Sequence, residues 1–278
     1  MRELLNKFTI VGQVCIITGG AGLLGKQHAI AVLEGEGIPV LLDVSEEALT
    51  LAENYLINRY PDAQIELYQV NITNESELES VKRDLLKKYG HIDILINNAA
   101  NNPKMEKQSA NLGNIRFDNF PIDIWKDDIA VGLTGAFLCA KVFGKVMEDA
   151  SKGVILNISS DLGVIAPDQR IYRKNGIAEE DQTIKPVTYS VVKHGLIGLT
   201  KYLATYWAGK NIRVNAVCPA GVANGQEEAF VRKLTNLIPM GRMANVDEYQ
   251  STMLYLISDA SSYMTGSTVI VDGGRTCW

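Results

Sequence analysis

The sequence predicts an α/β fold, a single doubly wound domain with a parallel seven-stranded sheet and helices on both faces. Three observations carry this. Short continuous apolar runs alternate with amphipathic helical stretches along the chain, the signature of βα units whose strands are buried on both sides. A glycine-rich turn joins the first apolar run to the first helical stretch. No repeat, low-complexity tract or linker interrupts the 278 residues, so one domain spanning 1–278 is expected.

The elements follow in order. Gln13 to Thr18 is a short β-branched and apolar run and reads as a strand; Leu23 to Glu34 has the length and composition of a helix. Ile38 to Asp43 is the second strand and Glu46 to Arg59 the second helix. Further strands are expected over Ile65 to Val70, Ile92 to Asn97, Val154 to Ser159 and Ile212 to Ala216, and Ser267 to Val271 closes the series. Helices fill the gaps over Ser76 to Tyr89, Ile124 to Met147, Val187 to Ala208 and Val246 to Ser258. Two polar segments, about 101–118 and 161–186, are too long for simple connections. Both follow the carboxyl ends of predicted strands, where ligands bind in sheets of this kind.

Composition narrows the function. Apolar residues make up 46% and charged residues 21%, with a net charge of −5. That balance argues against nucleic acid or an anionic membrane as the main partner. The first residues hold no apolar signal core, and the weakly polar stretch from Ile129 to Ala140 stops at Lys141, short of a bilayer span; a cytoplasmic protein is expected. Cys15, Cys139, Cys218 and Cys277 are scattered, and His28, His91 and His194 do not form a metal set. No metal site is expected, and the cysteines read as small buried apolar residues.

The glycine turn is Thr18-Gly19-Gly20-Ala21-Gly22-Leu23-Leu24-Gly25. Gly20, Gly22 and Gly25 have the G-x-G-x-x-G spacing, with a strand before and a helix after, which marks a Rossmann-type dinucleotide site. Glycine lets the backbone approach a pyrophosphate, and the helix N-terminus offers it N–H groups and a positive dipole. The second strand ends at Asp43, 18 residues after Gly25. A carboxylate there accepts from the adenosine ribose diol and repels a 2′-phosphate. Val44 and the residues after it, Ser45, Glu46 and Glu47, bring no Arg or Lys. NAD is therefore the expected cofactor.

Tyr189 and Lys193 lie four residues apart on a predicted helix, 29 residues after Ser160. That spacing puts phenol and ammonium on one helix face. A nearby cation favours the phenolate and makes a poor proton carrier usable at neutral pH. Tyr206 and Lys210 repeat the spacing and read as an exposed helix end.

With these residues assembled, the chain resembles a classical short-chain dehydrogenase/reductase from about Gly12 to Gly274. Ordered motifs carry the resemblance: the glycine turn, Asn97-Asn98-Ala99-Ala100, Asn157-Ile158-Ser159-Ser160, Tyr189-x-x-x-Lys193, Cys218-Pro219-Ala220-Gly221 and Val271-Asp272-Gly273-Gly274. The resemblance implies that Ser160 hydrogen-bonds the substrate oxygen, Tyr189 moves its proton, and Lys193 lowers the tyrosine pKa and holds the nicotinamide ribose. Ser160 is preferred over Ser159 because the family's active serine is normally the second of such a pair. Asn98, Ala99 and Ala100 are implied at the adenine–ribose channel, Asn71 and Ile72 beside the adenine, and Pro219, Gly221 and Val222 facing the nicotinamide. A homodimer or homotetramer is implied as well, paired through the helices around Ile129–Met147 and Val187–Ala208. The expected reaction is hydride transfer between NAD and a secondary alcohol or ketone. A 3-oxoacyl carrier-protein reductase and a non-catalytic NAD-binding regulatory protein are the alternatives.

The sequence departs from the family at informative places. Gly132 stands where a catalytic asparagine is usual, just before Leu133-Thr134-Gly135, and a water in the space left is the expected substitute. The Ser160 to Tyr189 spacing is longer than usual, so much of 161–186 is an insertion beside the site. It is either a mixed-charge surface loop or a pocket wall; as a wall, Arg170 and Arg173 would meet a phosphate or carboxylate, with Tyr172 stacking on a ring. Asp161, directly after Ser160, would accept from a substrate hydroxyl. These features favour a polar, anionic, sugar-like substrate. The Gly132–Gly135 context and the insertion are similar to oxidoreductases of bacterial flagellin and surface-sugar modification.

Overall fold

The computed structural model describes residues 2–101 and 116–278. After a short helix α1 (Arg2–Leu5), the chain alternates β1 (Val14–Thr18), α2 (Leu23–Glu34), β2 (Ile38–Asp43), α3 (Glu46–Ile57), β3 (Glu66–Gln69), α4 (Glu75–Tyr89) and β4 (Ile94–Asn97). Then come α5 (Ile122–Ile129), α6 (Gly135–Ala150), β5 (Gly153–Ile158), α7 (Val187–Tyr206), β6 (Ile212–Pro219), α8 (Glu228–Thr235), α9 (Gln250–Ile257) and β7 (Thr268–Val271). The strands form one seven-stranded sheet in the order β3-β2-β1-β4-β5-β6-β7, every pairing parallel. Strand order reverses between β1 and β4, and the crevice outside the carboxyl ends there is where such sheets hold ligands.

The period-two alternation of β1 divides the core. Val14 and Ile16 face one side, with Leu78, Phe143, Met147, Leu203 and Trp207 from α4, α6 and α7 and its end. Cys15 and Ile17 face the other, with Ile30, Ala52, Leu56, Met253 and Leu256 from α2, α3 and α9. The glycine turn is built for this packing. A Cβ on Gly25 would fall 2.3 Å from the Gly19 carbonyl oxygen, and one on Gly20 2.8 Å from Leu41, so both glycines let α2 sit tightly on the sheet.

Several boundaries differ from the sequence reading. The helix expected over 124–147 runs from Ile122 to Ala150 with a π-type turn at Ala130–Thr134. By length and composition alone this helix could cross a membrane. Here Cys139, Ala140, Phe143 and Met147 lie in the sheet core, and the fold uses it as a core helix. Helix α9 starts at Gln250 rather than Val246, and α8 was not expected at all. Cys15, Cys139 and Cys218 are buried, but Cys277 is exposed near the chain end. Of the segment 101–118, residues 102–115 lie outside the described residues. The second long segment, 161–186, is an ordered wall. Its Ile171 packs with Leu234, Ile238 and Met243, and Tyr172 meets Phe230 of α8 with ring centroids 5.5 Å apart. The Gln182 side chain clasps Lys174 N, Lys174 O and Ile177 O.

Candidate active site

A cleft of about 1440 Å³ opens over the carboxyl ends of β1, β2, β4, β5 and β6. Gly19, Gly22, Leu23 and Leu24 line it, whereas Gly20 and Gly25 are absorbed into packing behind it. Gly19 takes a left-handed φ of 59°, which glycine adopts without strain. Helix α2 follows an N-cap at Gly22, with no side-chain cap and no acidic residue in its first turn. Its leading N–H groups therefore remain available, which fits a pyrophosphate.

The rest of the dinucleotide half follows. Asp43 and Val44 line the cleft at the end of β2. Asp43 is oriented by the backbone, accepting from Ala21 N (3.3 Å) and Ser45 N (3.2 Å). Asn98, Ala99 and Ala100 follow β4, and Thr18 Oγ1 accepts from both Asn98 N and Ala99 N at 3.0 Å. The Asn98 amide donates back to Thr18 O and Gly19 O, tying the β1 and β4 loops together. His28 shares a 3.2 Å hydrogen bond with Asn98, and burial pushes its pKa down to about 4. Asn71 and Ile72 flank the β3 side, and Pro219, Gly221 and Val222 the β6 side.

At the inner end stand Ser159, Ser160, Tyr189 and Lys193. The two serines have different engagements. Ser159 Oγ donates to the Lys193 carbonyl at 2.7 Å, joining β5 to α7. Ser160 Oγ donates to Asp161 Oδ1 at 2.7 Å. Lys193 is buried; its Nζ donates to the Ile158 carbonyl at 2.7 Å and lies 5.7 Å from the Tyr189 ring centroid. Burial pushes Lys193 down to about 8, aided by neighbouring Lys185. Burial pushes Tyr189 up, and Ser160 opposes that shift. Thr188, beside the tyrosine, donates to Asp128 Oδ2 at 2.5 Å, fixing the start of α7 against α5.

The substrate half differs from the sequence reading. Arg170 does not line the cleft. Asp168 turns it outward, accepting from Nε at 2.8 Å and NH2 at 2.7 Å, and the side chain is 81% exposed. Arg173 reaches the rim, where it pairs with Glu179 at 2.6 Å. Asp161 does line the cleft and is buried; desolvation raises its pKa, against the pull of Ser160, Leu162 N and Arg275. The sequence reading missed two cations. Lys185 Nζ sits 3.7 Å from the Tyr189 ring centroid. Arg275, just after the terminal glycine pair, lines the cleft and is 7% exposed. Its signal was there, a charged residue next to a turn motif, but nothing local said that the turn aims it inward.

The space beside Gly132 is narrow. A Cβ there would fall 2.5 Å from Val192 Cγ1. The valine side chain takes the place of the missing asparagine, and a void of about 10 Å³, the scale of one water, remains beside it between Gly132, Asp128, Thr188, Tyr189 and Lys193.

Comparisons with known proteins match this fold along nearly the whole chain. The family model described as enoyl-(acyl carrier protein) reductase matches residues 24–276. The chain is 32% identical over 277 residues to an NAD-dependent glycerol dehydrogenase of Listeria innocua, covering 97% of this chain and 96% of the relative. It is 31% identical over 269 residues to the 3-oxoacyl-(acyl-carrier-protein) reductase of Thermotoga maritima, covering 95% and 97%. Post-translational flagellin modification protein A of Campylobacter coli is 27% identical over 262 residues, covering 94% and 97%. Among solved structures, a short-chain type dehydrogenase/reductase from Mycobacterium marinum superposes with a TM-score of 0.82 at 25% identity, covering 99% of each chain. A gluconate 5-dehydrogenase from Burkholderia cenocepacia, in complex with NADP and tartrate, gives 0.82 at 26% identity, again covering 99% of each.

Proposed function

The chain belongs to the short-chain dehydrogenase/reductase family, and we propose that it is an NAD-dependent oxidoreductase interconverting a secondary alcohol and its ketone on a polyol- or sugar-like substrate. The observation that carries this is the meeting of Ser160, Tyr189 and Lys193 at the inner end of a cleft whose outer end fits a dinucleotide. The bound nicotinamide supplies or takes the hydride; the protein orients the substrate and manages one proton.

In the oxidation direction Tyr189 takes the hydroxyl proton, and in reduction it returns it. Burial pushes the tyrosine up and Ser160 opposes that shift; an ammonium such as that of Lys193, 5.7 Å from the ring centroid, favours the phenolate as well. Ser160 is held at the cleft wall by Asp161. Rotated toward the substrate, its hydroxyl donates to the same oxygen, where negative charge develops during hydride transfer. The Ile158 carbonyl and the Lys193 main-chain link to Ser159 keep the lysine in register with both groups.

The NAD preference rests on Asp43. Relatives and neighbours include both an NAD-dependent enzyme and an NADP complex, so the choice lies in this chain's own residues. A 2′-phosphate beside Asp43 meets a backbone-anchored carboxylate and no Arg or Lys in the following residues to 47. A homodimer or homotetramer is part of the same reading. Phe137 of α6 and Val191, Tyr202 and Tyr206 of α7 are large apolar side chains left exposed on the two helices implied to pair.

The test is an absorbance assay for NADH formation or consumption over a panel of polyols, sugar derivatives and simple alcohols, with NADP controls. Acyl thioester ketones belong in the panel because of the similarity to 3-oxoacyl reductases. Turnover confined to acyl ketones with NADPH would replace the polyol reading by that one.

A further inference from the structure

Arg275 is a buried cation that forms no ion pair among the described residues. It is 7% exposed and lines the cleft. Among the described residues its guanidinium makes no hydrogen bond or ion pair, and its buried Nε has no partner. Burying a charge is costly unless it is paired, so a guanidinium held this way is poised for a ligand anion.

The carboxylates within its field each accept hydrogen bonds from other groups. Asp272 accepts from Gly274 N at 2.9 Å and Thr276 N at 2.7 Å. Asp168 is bidentate to Arg170. Asp161 Oδ1 accepts from Ser160 Oγ and Leu162 N. The orientation is built rather than incidental. Gly273 and Gly274 both take positive φ, 63° and 87°. A Cβ on Gly273 would fall 2.9 Å from Ile238, and one on Gly274 2.8 Å from Pro239. The turn after β7 is therefore locked by Asp272, packed against the segment after α8, and delivers Arg275 into the cleft.

The place it reaches is the substrate half. Arg275 acts electrostatically on Asp161, the partner of Ser160, and on Tyr172 of the 161–186 wall. Lys185, over the Tyr189 ring, adds a second cation on the reacting side.

We propose that Arg275 is the carboxylate-binding residue of this enzyme and that its substrate is a hydroxy acid, a sugar-acid-like molecule whose carboxylate is gripped by the guanidinium fork while its hydroxyl lies at Ser160 and Tyr189. This deepens the proposed function and rests on the reading of Ser160 and Tyr189 as the reacting end. The planar fork matches a carboxylate through two parallel hydrogen bonds. A singly charged group also suits a cleft that already holds Asp161 better than a dianionic phosphate.

The experiment uses matched pairs, glycerol with glycerate and sorbitol with gluconate, and a phosphate ester, glycerol 3-phosphate. Binding to the enzyme–NADH complex is followed by calorimetry, and oxidation with NAD by absorbance, for wild type, Arg275→Gln and Arg275→Lys. The acid of at least one pair is expected to bind wild type at least tenfold more tightly than its polyol. Arg275→Gln brings that ratio to about one, Arg275→Lys recovers part of it, and NADH affinity reports that each variant is folded. Equal binding of acid and polyol to wild type, an unchanged ratio in Arg275→Gln, or preference for the phosphate ester over glycerate overturns the proposal. Failure of the wider reading looks different: neither member of any pair is oxidised, while the binding arm still reports on Arg275.

Discussion

Val192 stands where a side chain at position 132 would have to be: a Cβ on Gly132 would fall 2.5 Å from Val192 Cγ1. The two helices that frame the tyrosine, the α5–α6 helix and α7, thus meet through a glycine–valine contact at the position where the family usually has asparagine. The π-type turn at Ala130–Thr134 surrounds that contact.

This contact fixes the outcome of restoring the asparagine. Gly132→Asn overpacks the junction and is expected to destabilise the protein by about 1–3 kcal/mol, read as a lower urea midpoint. Gly132→Asn with Val192→Ala is expected to recover much of that loss, because the second change removes the clashing methyls. Equal destabilisation in the single and double variants would show that the junction yields elsewhere.

The proposed NAD preference makes Asp43 the residue that governs the dinucleotide choice. Asp43→Ala removes the carboxylate that accepts from Ala21 N and Ser45 N. The ratio of kcat/KM for NADP to that for NAD is expected to rise at least tenfold, mostly through loss with NAD. A ratio unmoved by the substitution would place cofactor selection elsewhere.

Lys185 carries a pH signature in stability. Burial lowers its pKa from the usual 10.5 to about 8, against the attraction of Asp161. Between those values the unfolded chain binds more protons than the folded one, so stability rises with pH there. The cost of the buried cation is fully present below pH 8 and fades toward pH 10.5. Lys185→Met is therefore expected to raise stability at pH 7, on the order of 1–3 kcal/mol, with the gain shrinking at pH 10. Urea denaturation of both proteins at the two pH values measures it; a gain that grows with pH contradicts the sign.

Arg170 provides a control for the anion chemistry. Its pairing with Asp168 points away from the cleft. Arg170→Gln is expected to leave KM for the best substrate within twofold of wild type. A tenfold rise would mean that the Asp168 pairing opens during binding.

The strands and the dinucleotide half were legible in the sequence because their signals are local. Parallel strands buried on both sides read as unbroken apolar runs, and β1, β2 and β5 were placed within a residue of the observed ends. The glycine turn and Asp43 lie within one βαβ unit, so spacing alone located them. The substrate half was not legible, because it is assembled from distant segments. Arg170 looked like a cleft cation, but its neighbour Asp168 holds it at the surface, and Arg173 lines the cleft only at its rim, paired with Glu179. Arg275 becomes a cleft residue only because Asp272 and two positive-φ glycines turn the chain end inward. Helix α8 was missed because it is short and follows a loop, and its apolar side is completed by Ile171 and Tyr172 from the insertion.

The central claim is that Tyr189 moves the proton while the glycine turn and Asp43 hold the dinucleotide independently of it. Tyr189→Phe, which keeps the ring and loses only the hydroxyl, tests it most directly. With the best substrate from the panel, kcat is expected to fall by about 10²–10⁴-fold, with NADH affinity within twofold of wild type. Turnover retained within tenfold of wild type, in a variant that still binds NADH, would contradict the account.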